Sequence, residues 1–255
     1  MIALVAALAV AVTPAQFLQS RQAADGGFAE PRGTATPGLT AWAALGLAAQ
    51  EAPTGNALGY LRRHEEEDDP SLLLLAEAAL GHPSPTLVQT VQRRIGSTVN
   101  ATTWAVLALR QAGETVPPAA RRFLLAKQRR TGGWSWTGSD QPDSNDTAAA
   151  VEALRALGVR EKPIAQALGY LSGLQNRDGG FELVEGRGSD AQSTAWAIQA
   201  FLAAGERPPR SAYAYLARLR RPDGSYRYSA TYAVTPVWVT AQVLPALAGR
   251  SFPLR

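Results

Sequence analysis

The residues best suited to chemistry lie in one short stretch, Asp143-Ser144-Asn145-Asp146-Thr147-Ala148. A protonated carboxyl group can donate a proton in acid catalysis, whereas the carboxamide of Asn145 has no proton to give at neutral pH. Asp and Asn are also preferred N-cap residues, so the stretch is equally typical of the polar start of a helix. The two interpretations are an acid site and a helix cap.

Other catalytic chemistries have few residues to support them. The chain contains no cysteine, which excludes disulfides, thiol catalysis and cysteine-ligated metals. Its two histidines, His64 and His82, do not have the spacing of a metal site. We therefore expect no bound metal and no cofactor.

A repeat surrounds the acidic stretch and extends over most of the chain. Its first half is an aromatic-Leu pair, a Gln or Arg, and a glycine turn that ends in an aromatic residue, at Phe28, Trp134, Phe181 and Tyr226. Its second half resembles Thr-Ala-Trp-Ala, with good copies at Thr40–Ala43 and Thr194–Ala197. Self-similarity at a fixed period indicates a repeat architecture.

The spacing of the repeat sets the number of helices. Gly133 and Gly180 are 47 residues apart, which suits two helices and two loops. Two degraded copies, from Ala57 and from about Pro83, bring the total to six helix pairs. Because paired glycines after a helix commonly supply a left-handed turn, we predict a positive φ at Gly27, Gly133 or Gly180.

The two helices of a pair differ in charge. The second helix carries no charge from Leu39 to Ala49 or from Thr194 to Ala204, which predicts burial on every side. The first helix carries arginines on one flank, as at Arg121 and Arg122, which predicts one solvated face. Six buried and six half-exposed helices predict a closed α6/α6 toroid, an inner barrel within an outer ring.

An apolar leader precedes the repeats. Residues 1–12 form a run too short to span a bilayer but similar to a signal-peptide core, and Thr13 can cap a helix through Gln16. We therefore predict a leader over 1–12, a single toroid domain over 13–255, and an extracellular or periplasmic location. The alternatives are a leader helix that lies on the barrel and a cytoplasmic protein.

The net charge of +4 comes almost entirely from arginine on the outer helices. Nucleic-acid binding would need a basic stripe interleaved with exposed aromatic residues, whereas these aromatic residues belong to the repeat. We expect no nucleic-acid partner and no transmembrane span.

The repeats resemble those of the prenyltransferase and squalene-cyclase superfamily, whose fold is the α/α toroid. Protein prenyltransferases hold zinc through Asp, Cys and His, so the absence of cysteine argues against that activity. Class II terpene cyclases protonate their substrate with the middle Asp of Asp-x-Asp-Asp-Thr-Ala. In this chain Asn145 stands at that position, between Asp143 and Asp146.

A second resemblance is to the cobalamin carriers transcobalamin and intrinsic factor and their secreted bacterial relatives. It rests on the stretch from Ala241 to Phe252, which is similar to the sequence that closes their toroid, and on the helix start from Asp190 to Trp196. The carriers clamp their ligand with a further β domain, so this resemblance implies a cobalamin-like ligand and a separate partner domain.

Together these patterns favour a binding protein over an enzyme. We expect a small or hydrophobic ligand, with a cobalamin-like molecule as one option, at the barrel mouth where the inner helices begin. Free N–H groups and positive helix ends gather there and favour the ionised forms of Asp143 and Asp146. The expected ligand-binding residues are Asn100, Asp143, Asn145, Asp146, Asp190, Gln192, Trp42, Trp104, Trp196 and Trp238.

Two alternatives stay open. A terpene cyclase would need a buried acid directed into an aromatic cavity, and Asp143 or Asp146 would be that acid. A protein-interaction toroid would instead have its lumen filled by its own side chains.

Overall fold

The structure is a computed structural model that describes residues 11–160 and 162–254. Most of the predicted leader lies outside these residues, so its cleavage and the secretion of the protein stay predictions. The helix cap predicted after it is confirmed, because Gln16 N–H donates to Thr13 Oγ1 at 3.2 Å and Thr13 N–H donates to Gln16 Oε1 at 2.8 Å. In this part of the chain no helix is long and apolar enough to cross a membrane.

The described residues form twelve α-helices in six consecutive pairs. The first helices of the pairs are α1 (Pro14–Gln19), α3 (Ala57–Arg63), α5 (Pro85–Gln92), α7 (Pro118–Lys127), α9 (Lys162–Gly173) and α11 (Arg210–Leu219). The second helices are α2 (Pro37–Ala49), α4 (Pro70–Ala79), α6 (Val99–Gln111), α8 (Ser144–Ala156), α10 (Ala191–Ala204) and α12 (Pro236–Leu247). A short antiparallel hairpin, β1 (Phe181–Glu182) and β2 (Ser189–Asp190), precedes α10.

The six second helices form a closed ring. Each packs against the next, and α12 packs against α2, so no inner helix is left with a free side. The first helices lie outside this ring and contact the inner helices beside them. The predicted α6/α6 toroid is confirmed, with α2, α4, α6, α8, α10 and α12 as the inner barrel.

The seam between the first and last repeats depends on two short-range features. A Cβ atom on Gly46 of α2 would lie 2.7 Å from the Ala241 carbonyl oxygen of α12, so only glycine permits this helix contact. Both carboxylate oxygens of Glu30 accept backbone N–H groups at the start of α12, from Val237 at 3.0 Å and from Trp238 at 2.9 Å. A residue of the first repeat therefore caps the last inner helix.

The repeated threonine joins each glycine turn to its inner helix. Phe28 N–H donates to Thr40 Oγ1 at 2.9 Å, and Phe181 N–H donates to Thr194 Oγ1 at 2.9 Å. Trp134 and Tyr226 make the same bond to Thr147 and Thr240. The aromatic residue of the turn is thereby held in the core beside the inner helix, which explains why both halves of the repeat recur together.

The prediction of a positive φ at Gly27, Gly133 or Gly180 is wrong by one residue. The left-handed residue is the first glycine of each pair, with φ of 93° at Gly26, 97° at Gly132 and 88° at Gly179. The reason is that the pair belongs to a β-turn rather than to a helix end.

In the third of these turns Gly179 N–H donates to the Asn176 carbonyl at 2.9 Å, and Asn176 N–H donates to the Gly180 carbonyl at 2.9 Å. The second glycine is needed for space, because a Cβ on Gly180 would lie 2.6 Å from Ser189 Cβ.

We expect Gly179→Ala to destabilise the protein by about 3 kcal/mol, because it adds left-handed strain to a steric clash. A Cβ at Gly179 would lie 2.6 Å from the Ser211 carbonyl oxygen, in the next repeat. Gly186→Ala is the matched control, since Gly186 has φ of 84° but nothing within 4 Å of a Cβ. Thermal unfolding should show a melting temperature lower by about 6–12 °C for Gly179→Ala and by about 2–4 °C for the control. Equal decreases in melting temperature for the two variants would mean that the contact between the new Cβ and the Ser211 carbonyl oxygen is relieved without a cost in stability.

Candidate functional site

A cavity of about 240 Å³ opens at the mouth of the barrel, where the inner helices begin. Its polar lining comes from Asn100, Asp143, Asn145, Asp146, Gln192 and Gln242. Its aromatic lining comes from Trp42, Trp104, Trp136, Trp196 and Trp238. Ala149 and Leu183 complete it. Nine of the ten residues expected to bind a ligand line this one cavity, and their role in binding stays a prediction.

Asp190 is the exception. It is 2 % exposed and accepts hydrogen bonds from the backbone N–H and the hydroxyl of Ser193, at 2.7 and 2.9 Å. Both of its oxygens are therefore used as the N-cap of α10. Asp190 lines a separate surface depression with Tyr228 and Arg187 rather than the cavity.

Four lining residues were not expected. Trp136 and Leu183 lie on the loops before α8 and α10, where no helical periodicity indicates which side chains point inward. Gln242 had a usable signal, because it follows Thr240 by two residues, as Trp196 follows Thr194, and its Oε1 accepts from Trp196 Nε1 at 2.9 Å. Ala149 is one turn beyond Asn145 on α8 and so faces the same way.

The helix ends at the mouth are largely capped, which corrects the expectation of free N–H groups there. Each inner helix has a carboxylate or hydroxyl that accepts from its first turn: Thr36, Asp69, Thr98, Asp143, Asp190 and, for α12, Glu30. A ligand in the cavity would therefore meet mainly side chains.

Asp143 and Asp146 form the electrostatic centre of the cavity. Asp143 Oδ1 accepts from Asp146 N–H at 2.8 Å, and Asp146 Oδ1 accepts from Asn100 Nδ2 at 3.3 Å. Burial, followed by the negative charge of Asp143, raises the pKa of Asp146 to about 7. Burial also raises the pKa of Asp143, against the hydrogen bonds that it accepts.

The expectation that both acids are ionised is therefore not met at Asp146, whose pKa is raised to about 7 and so lies close to neutral pH. Desolvation and mutual repulsion outweigh the helix N-terminus, whose effect is small for a carboxylate.

Tryptophan rings form the inner end of the cavity. The indoles of Trp42, Trp104 and Trp196 contact one another edge to face, with centroids 5.6, 5.7 and 6.1 Å apart. Such T-shaped contacts are favourable arrangements for aromatic pairs.

The C-terminal segment closes the lumen beyond these rings. The ring of Phe252 lies 6.4 Å from Trp42 and 6.0 Å from Trp196, and Phe252 N–H donates to Glu152 Oε2 at 2.6 Å. Glu152 is wholly buried, which raises its pKa well above the ordinary value. The lumen is thus filled by the chain's own side chains below the mouth, as a protein-interaction toroid would require, whereas the mouth itself is open.

The charged side chains that line the cavity are all acidic. None of the residues that line it is Lys, Arg or His. Among the described residues no group of three or more His, Cys, Asp or Glu side chains is arranged to hold a metal ion. The lining groups that can donate a hydrogen bond to a ligand are the amides of Asn100, Asn145, Gln192 and Gln242, the indole N–H groups of tryptophans other than Trp196, and the protonated form of Asp146.

No family model matches the sequence, and no curated protein matches it. Solved structures are similar in fold. A protein from Actinoplanes has a TM-score of 0.70 at 19% identity, over 92% of this chain and 97% of its own. The type II terpene cyclase MstE from Scytonema has a TM-score of 0.67 at 16% identity, over 92% and 95%. Protein geranylgeranyltransferase-I from Candida albicans has a TM-score of 0.63 at 14% identity, over 83% of each chain.

These similarities do not support the resemblance to cobalamin carriers, nor the partner domain that it implied. They agree with the other resemblance drawn from the repeats. The chain has an α/α-toroid fold, which it shares with these terpene cyclase and prenyltransferase structures.

Proposed function

We propose that the protein binds a compact, largely apolar ligand in the cavity at the barrel mouth and does not transform it. The observation that carries this proposal is the open cavity with tryptophan walls and a polar rim, in a barrel that is otherwise filled. Ligand sites are typically concave and mostly apolar, with a few polar groups that orient the ligand. At about 30 Å³ for each water-sized group, 240 Å³ holds about eight heavy atoms.

The structural neighbours suggest one chemical class. MstE was solved with geranylgeranyl dihydroxybenzoate as substrate, and the prenyltransferase with GGPP. A whole geranylgeranyl chain does not fit in a space of this size, and the tryptophans and Phe252 prevent it from passing deeper. The isoprenoid version of the proposal is therefore that one end of such a chain occupies the cavity.

The acids of the cavity argue against catalysis. Alkene protonation needs a strong acid, and Asn145 is not one. Raising the pKa of Asp146 from 3.8 to about 7 makes its proton harder to donate by about 4 kcal/mol. We therefore expect no cyclisation of squalene or geranylgeranyl diphosphate by the wild-type protein.

A second candidate is a terpene cyclase that uses Asp146. It is favoured by the protonated fraction of Asp146 in an aromatic cavity at neutral pH. Products formed from squalene or geranylgeranyl diphosphate by the wild-type protein would establish this candidate against the first. Products formed only by Asn145→Asp would mean that a cyclase site is present and lacks its acid.

Native mass spectrometry of the purified protein tests the binding function. We expect a bound small molecule in the wild-type protein and its loss in Ala149→Phe, because Ala149 lies on the cavity wall and a phenyl ring would occupy the space. Ala119→Phe, on the exposed side of α7, is the matched control and should keep the molecule. An adduct that survives in both variants would place its binding outside the cavity, and a wild-type protein that binds nothing under any extraction condition would contradict the proposal.

A further inference from the structure

The cavity holds two carboxyl groups and no positive side chain. Asp143 and Asp146 both line it, and Asp146 is 9 % exposed. Buried carboxylates are normally paired with a cation, because an unpaired charge loses its hydration. Asp146 has only the neutral amide of Asn100 as a side-chain donor. No side chain that lines the cavity supplies a positive charge to balance this pair.

The walls of the same cavity are also suited to a cation. The chain has six tryptophans, and five of them line this cavity, the sixth being Trp134 in the core. Indole is the aromatic side chain that attracts cations most strongly, and cages of such rings are known binding sites for quaternary ammonium groups. Repeat packing alone does not account for Trp136, which lies on a loop and is 59 % exposed.

We propose that the ligand of this cavity is an organic cation, an alkylammonium group that contacts the tryptophan rings and is balanced by Asp143 and Asp146. This inference rests on the proposed function and narrows it to one ligand class. A trimethylammonium group with a short stem is within the size limit of about eight heavy atoms. A metal ion is a poorer fit, because the described residues contain no group of three or more potential ligands.

The charge of the ligand makes its binding depend on pH. The titratable group that acts on Asp146 is Asp143, the N-cap of the same helix, while Asn100 on α6 and Gln192 on α10, which share the cavity, are neutral. Of the acids farther off, Glu152 accepts from Phe252 N–H and Asp190 caps α10, and Tyr170 on α9 interacts with Asp143. Tyr170 donates its hydroxyl to the Pro142 carbonyl and, with its pKa raised to about 12, stays neutral.

Asp146 is thus the group that titrates near neutrality, and a cation binds its ionised form. Affinity should therefore fall about tenfold from pH 8 to pH 6, and binding near pH 7 should release a proton.

Isothermal titration calorimetry with two probes tests the inference. One probe is choline, and the other is its isostere 3,3-dimethylbutan-1-ol, in which a neutral carbon replaces the charged nitrogen of choline. We expect choline to bind at least tenfold more tightly than the isostere at pH 8, with a smaller ratio at pH 6. Asp146→Asn and Trp104→Leu should each weaken choline binding at least fivefold. Asp140→Asn removes the same charge from the exposed loop before α8 and should leave choline binding unchanged.

Three outcomes would overturn the inference. Equal binding of both probes, or tighter binding of the isostere, would show a neutral apolar site, so the proposed function would stand without the charge. If Asp140→Asn and Asp146→Asn weaken choline binding equally, choline is attracted to the acidic surface in general and not to the cavity. Binding of neither probe would exclude an alkylammonium site, and the binding function would then be judged by native mass spectrometry alone. Circular dichroism and thermal melting of each variant ensure that lost binding does not reflect unfolding.

Discussion

Truncating Phe252 to alanine is expected to lower the free energy of unfolding by about 3–5 kcal/mol. The side chain is 2 % exposed and closes the lumen beneath Trp42 and Trp196. Its removal would leave a void that the rigid inner helices cannot collapse to fill, so both the buried surface and the contacts with the indoles are lost. The backbone hydrogen bond to Glu152 survives the change, which keeps the effect to packing.

Thermal unfolding measures this effect as a melting temperature lower by about 6–20 °C. Leu247→Ala is the control, because Leu247 ends the last inner helix but is 36 % exposed, and its truncation should cost only about 1 kcal/mol. A Phe252 variant as stable as this control would mean that the C-terminal segment is not a structural part of the barrel.

The toroid was predictable because its signals repeat. Charge is absent from inner helices such as α2 and α10 and confined to one flank of outer helices such as α7, and that difference depends only on which faces meet water. Closure was predictable for the same reason, since an open solenoid would leave one side of each inner helix exposed. Glu30 was not predictable as the cap of α12, because it acts across the seam from more than two hundred residues away.

The site was predictable where helices carry it. Asn100 and Asn145 lie in the first turn of inner helices and Trp104 lies one turn after Asn100, and the repeat aligns those positions at one end of the barrel. Trp136 and Leu183 lie on loops, whose side-chain directions are set by tertiary contacts that no periodicity reports.

The ionisation of Asp146 was mispredicted because a local rule, the helix N-terminus, was applied without the burial that outweighs it. The positive φ was assigned to the wrong glycine of each pair for a similar reason. A Gly-Gly sequence suits both a helix cap and a β-turn, and the two place the left-handed residue differently.

Glu77, a buried acid outside the cavity, supplies a large pH effect on stability. Glu77 on α4 is wholly buried, and neither of its carboxylate oxygens makes a hydrogen bond with the described residues. Burial, with a smaller contribution from Glu65, raises the pKa of Glu77 from 4.5 to about 7. The folded protein therefore holds this proton more tightly than the unfolded chain does. The resulting stabilisation is full below pH 4.5 and is lost as the pH rises through 7.

We expect Glu77→Gln to raise the free energy of unfolding at pH 8 by about 3 kcal/mol and to leave it nearly unchanged at pH 4.5, where the native carboxyl is already neutral. Melting temperatures of the wild-type protein and the variant, measured from pH 4.5 to pH 8, should therefore diverge as the pH rises. Asp146 makes the free energy of unfolding depend on pH with the same sign in both proteins. The effect of Glu77 is therefore read from the difference between the curves of the wild-type protein and the variant. Glu66→Gln makes the same charge change at an exposed position and should follow the wild-type curve. Parallel curves for Glu77→Gln and the wild-type protein would mean that Glu77 stays ionised in the folded state, with a counter-charge or water that stabilises it.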